Sequence, residues 1–81
     1  MATIHESDVP DGTQRFPQIG HEHPHEYHEF LVECEGPDGP YAPLRGRAVD
    51  VRSACASFRK FIEAPADDAL VFTVREIVEA V

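Results

Sequence analysis

Four of the five histidines, His21, His23, His25 and His28, fall within Gly20–Glu29, GHEHPHEYHE, together with Glu22, Glu26 and Glu29. Imidazole and carboxylate are ligands for zinc, nickel, iron and copper. His21, His23 and His25 stand at i, i+2 and i+4, so they share a side if the segment is extended. With His28 and a carboxylate such as Glu29 they would supply a tetrahedral zinc site, or an open one that keeps a water. One reading is therefore a zinc or nickel protein using His21, His23, His25, His28 and Glu29. The other is a solvated tract with no cofactor, because Pro24 interrupts the segment and composition alone sets no geometry.

His23-Pro24-His25, three residues, Glu29, six residues and Gly36 resemble the core of the first cupin motif, H-x-H-x3-E-x6-G. In that family the two histidines and the glutamate bind a metal in a small β-barrel. The resemblance thus implies His23, His25 and Glu29 as ligands. It covers 14 of 81 residues. Pro17 stands where the family has a glycine, and no histidine follows His28 to complete the second motif. A helix at 51–63 does not belong in such a barrel.

Other chemistry is sparse. His28 and Cys34 share one face of a strand, but six strand residues separate them by about 20 Å, too far for proton transfer. Cys34 and Cys55 both fall on apolar faces and read as small buried hydrophobes. There is no G-x-S-x-G or phosphate-cradling glycine loop. The expectation is that the chain is not an enzyme.

The elements that must position these residues follow from periodicity. Residues 1–24 show none, and Pro10, Gly12, Pro17, Gly20 and Pro24 punctuate them; they read as an irregular N-terminal arm. Residues 26–35 alternate, with His28, Phe30, Val32 and Cys34 on one face and Tyr27, Glu29, Leu31, Glu33 and Glu35 on the other, as in a half-buried strand. Gly36-Pro37-Asp38-Gly39-Pro40 makes a turn. Residues 44–49 form a second strand, with Leu44, Gly46 and Ala48 inward and Arg45 and Arg47 outward. Residues 51–63 form a helix with Val51, Ala54, Cys55, Phe58, Phe61 and Ile62 on one face. Asp50 is its expected N-cap, and Pro65 stops it. A strand begins at Ala69; residues 75–81 can extend it or coil, and the extended form is preferred because a short sheet needs length to cover a helix. The fold class predicted is α+β in two layers: a three-stranded antiparallel sheet with one helix, β-β-α-β. Residues 1–24 are the arm and 25–81 the domain.

The bulk numbers set the partners. Fifteen acids against seven bases leave a net charge of −8, which disfavours phosphate backbones and anionic membranes. Two cysteines are too few for a disulfide scaffold, and no leader or 18-residue apolar run is evident. A reducing cytoplasm and no membrane contact are expected. The bases cluster: residues 45–60 hold Arg45, Arg47, Arg52, Arg59 and Lys60 against Asp50 alone. They offer a weak nucleic-acid patch, or they neutralise neighbouring acids. Tyr27, Leu31 and Tyr41, framed by Glu29, Glu33 and Glu35, compose an interface-like patch on the outer sheet face, or the N-terminal arm covers that face through Phe16 or Ile19. The reading these observations favour is a small acidic protein that binds, and inhibits, a protein partner with a basic surface. In size, acidity and lack of chemistry the chain is similar to phage-borne inhibitors such as anti-CRISPR and anti-restriction proteins, a likeness of class without a shared motif. The open edge of a short sheet also permits a homodimer.

Overall fold

The computed structural model describes residues 2–17, 27–63 and 69–79. They form β1 (Thr3–His5), a 3-10 turn (Glu6–Asp8), β2 (Gln14–Arg15), β3 (His28–Gly36), β4 (Gly39–Pro40), β5 (Leu44–Ala48), α1 (Val51–Ile62) and β6 (Val71–Val78). The class is α+β, with one helix on one sheet. The sheet has six strands rather than three, in the order β1-β6-β3-β5-β2, with β4 beside β3. β1 runs parallel to β6 and β2 parallel to β5, while β3 is antiparallel to β4, β5 and β6. The additional strands come from the segment read as an irregular arm and from the turn. They are two or three residues long, too short to carry a period-2 pattern. The expected boundary between residues 24 and 25 lies outside the described residues.

Alternation in β3 decides the layers. Phe30, Val32 and Cys34 turn inward and are buried with Leu44, Ala48, Ala54 and Phe58 beneath α1. The helix starts where expected: Asp50 is extended, and its side chain accepts from the Ser53 backbone N–H (2.7 Å). That bond satisfies one of the otherwise unpaired donors of the first turn. Glu63, in the left-handed region at φ 53°, closes the helix with its N–H on the carbonyls of Arg59 and Lys60. β6 stays extended through Val78, which resolves the ambiguous end up to that residue.

Two glycines make room for rings. A Cβ on Gly46 would stand 2.7 Å from Phe16 Cε1, and one on Gly36 would stand 2.9 Å from Tyr41 Cε2. Phe16, at 4% exposure, thereby joins the inner core at the β2 edge, held there by its N–H on the Arg45 carbonyl (2.9 Å).

The line of β4 and β5 contains a bulge. Glu35 faces Pro40, but Val32 faces Leu44, so three residues oppose two. One extra residue changes which face follows. Tyr41 and Leu44, three apart, therefore both turn toward the helix, and Tyr41 meets the Phe58 ring edge-on at 6.3 Å.

The outer sheet face is strapped. β1 and β2 occupy opposite edges, so residues 6–13 cross between them. Val9 lands at the centre and buries Leu31 and Ile77, with Ile4 beside them.

Candidate partner-binding surface

On the outer face, Glu29 lies opposite Arg47, and Leu31 lies between Arg45 and Arg75. Arg15 Nη1 donates to Glu29 Oε1 (2.7 Å). Arg45 Nη2 donates to both oxygens of Glu6 in the strap (2.8 and 2.7 Å) and lies 3.5 Å from Glu29. Arg47 approaches Glu29 at 3.9 Å, and Arg75 approaches Glu33 at 3.8 Å. Glu29 is left with 17% of its side chain exposed. The cleft around this network holds two buried polar atoms without a hydrogen bond, Tyr27 Oη and Arg45 Nε.

The expected patch therefore does not form one open surface. Leu31 is sealed under Val9, Glu29 and Glu33 are engaged by arginines, and Tyr41 faces the opposite layer because of the bulge. Tyr27 stays on the outer face and Glu35 is exposed. The basic residues do not converge either. Arg45 and Arg47 sit on the outer face among carboxylates, Arg52 and Lys60 are exposed on the helix, and Arg59 lies 5.9 Å over the Phe72 ring. Of the histidine cluster, His21, His23 and His25 lie outside the described residues. His28 Nδ1 stands 3.5 Å from Glu76 Oε2. Among the described residues no group of three His, Cys, Asp or Glu could hold a metal ion.

Burial raises the thiol pKa of Cys34 and Cys55, with Arg59 partly offsetting it in both. A raised thiol is a poor nucleophile at neutral pH. Cys34 is buried as expected, while Cys55 is only partly buried.

A surface that periodicity did not reveal lies at the hairpin end. β2 and β5 both start there, β3 ends there, and α1 runs back over the sheet to finish there. A cavity of about 470 Å³ opens between the turn Pro10–Thr13, the bulge and the last turn of α1; Tyr41, Pro43, Phe61 and Ile62 make its apolar wall. The turn is closed by Thr13, whose N–H and Oγ1 both donate to the Pro10 carbonyl (3.3 and 2.6 Å). A smaller hollow of about 260 Å³ shares Tyr41 and Pro43 and reaches Val71. Phe61 (41% exposed) and Val71 (68%) are the exposed large hydrophobics among the described residues. Around them stand Asp11, Glu35, Asp38 and Glu63, all exposed and none in an ion pair among the described residues. Phe61 was legible as part of the helix stripe but not as exposed: the stripe's last turn overhangs the start of β5.

No helix among the described residues is long and apolar enough to cross a membrane. No family model, curated protein or solved structure matches this chain.

Proposed function

We propose that the chain is a non-enzymatic binding protein whose hairpin end docks on a basic surface of a protein partner. The observation that carries this reading is the coincidence, at one end, of an apolar cleft, two exposed large hydrophobics and four exposed acids that make no ion pair among the described residues. An apolar centre with a charged rim is the usual anatomy of an interface. The net charge of −8 adds long-range attraction to a cationic partner. Inhibition follows if that cationic surface is where the partner holds nucleic acid. Cys34 and Cys55 support packing rather than catalysis, and the outer-face arginines support stability rather than phosphate contact.

The test is affinity capture followed by titration. Proteins retained by the immobilised chain are purified and titrated against the wild type and against E35K/D38K/E63K. The variant is expected to bind at least about tenfold more weakly, and wild-type affinity to fall with added salt. Equal affinity for both proteins, salt-independent binding or no retained protein would each reject the reading.

A further inference from the structure

Among the described residues, the edge of β6 away from β3 carries a partner strand only at its C-terminal end. Glu76 N–H donates to the Ala2 carbonyl (3.0 Å), so the backbone groups of Glu76 point away from β3. Backbone direction alternates along a strand. The N–H and C=O of Phe72 and Val74 therefore point the same way, out of the sheet edge, while those of Thr73 and Arg75 point into the ladder with β3. β1 reaches only Glu76, Ile77 and Val78. Among the described residues nothing pairs with the edge over 71–74, although β6 is fully extended there.

Natural edges are usually protected by a charge, a proline, a bulge or short length. Val71-Phe72-Thr73-Val74 has no charge and no proline, and its pairing with β3 runs without a bulge. We propose that an extended, cationic segment of the protein partner adds to this edge, in line with β1 and stopping at Ala2. The proposal rests on the reading above and names how the partner is held. Charge selects the occupant. Glu35 lies opposite Val71 and Glu33 opposite Thr73 on the neighbouring strand, all on the outer face. An added strand thus presents every second side chain beside Val71 and Thr73, within reach of unpaired Glu35. A Lys or Arg at those positions meets a carboxylate; an acid is repelled. Backbone bonds hold the strand, and the alternate side chains select it.

A second copy is the weaker fit. A two-fold pairing that keeps both helices on one side centres on Thr73 or on Phe72. Centred on Thr73, it drives Val71 into the position that Ala2 holds beside Arg75 of the copy. Centred on Phe72, it bonds Phe72 to its own equivalent and no other pair of β6 residues.

Amide hydrogen exchange tests this residue by residue, using as probe a synthetic eight-residue peptide of alternating valine and lysine. In the free chain the Phe72 and Val74 amides should exchange at least about tenfold faster than those of Thr73 and Arg75. Added peptide should slow Phe72 and Val74 about tenfold and leave Thr73 and Arg75 unchanged. Slow exchange at Phe72 and Val74 in the free chain overturns the proposal, as does no change at peptide concentrations up to about 1 mM, a typical weak-binding limit. Protection that rises with the chain's own concentration assigns the edge to a second copy and also overturns it. Shifted resonances at Asp38, Tyr41 and Phe61 without protection at Phe72 and Val74 would leave the hairpin-end surface standing and remove strand addition; no response at either place would remove both.

Discussion

Gly46 shows how one atom can decide a packing arrangement. Its missing Cβ is the space that Phe16 fills, at a separation no real Cβ tolerates. Gly46→Ala must push the Phe16 ring, or the β2 edge that carries it, away from β5. Overpacking of this kind costs about 1–3 kcal/mol, measurable as a lower midpoint in urea. Pairing it with Phe16→Leu should cost less than the sum of the two changes, because both act on one contact; strict additivity would show that the ring is not what Gly46 accommodates. The alternation that places Gly46, Phe30 and Val32 inward was readable from the chain. The face taken by Tyr41 was not: a bulge inverts every later position, and nothing in Tyr41-Ala42-Pro43 announces which residue is extra.

The helix was the most legible element because its signals are local. An apolar stripe at helical spacing, an aspartate before it and a proline after it all act within one or two turns. Asp50→Ala should lower the thermal midpoint, since it leaves the Ser53 N–H without its acceptor. The carboxyl of Asp50 is held below its ordinary value of 3.8, first by the Ser53 backbone N–H and then by the Ser53 side chain. The sign follows: a carboxylate with a depressed folded pKa stabilises above its unfolded pKa and loses that contribution as pH falls through the folded value. The difference between wild type and Asp50→Ala should therefore be complete at pH 6 and shrink below 3.8. A difference unchanged down to pH 2 would show that the cap acts without its charge. β1 and β2 were illegible for the opposite reason. Their partners, β6 and β5, lie far along the chain, and strands of two or three residues carry no pattern of their own.

At the scale of the whole molecule, the strap turns a two-layer protein into one with both sheet faces occupied. Val9 is its keystone: at 7% exposure it covers Leu31 and Ile77 from a segment with little other apolar content. Val9→Ala should cost about 1–2 kcal/mol and make Leu31 and its neighbours accessible to a hydrophobic dye before global unfolding. A stability unchanged within about 0.5 kcal/mol, the usual range for surface changes, would mean that the strap rests on the sheet without holding it. The sequence reading put the docking surface on this face because it counted glutamates along one strand. It allowed that the bases of 45–60 neutralise neighbouring acids, but it could not place Arg45 and Arg47 beside Glu29, bring in Arg15 and Arg75 from other segments, or see that distant loops would gather Asp11, Asp38, Glu63 and an overhanging Phe61 at one end.

The parallel pairing of Thr3–His5 with Glu76–Val78 has a kinetic corollary. Residues made early during translation have no slot until β6, made much later, has joined β3. Until then the early segment must wait in water, with Ile4 and Val9 uncovered. Contacts so distant in sequence close slowly, so the antiparallel centre should condense first and the two rim strands settle afterwards. A stopped-flow trace reporting on Phe16 should accordingly lag one reporting on Phe58.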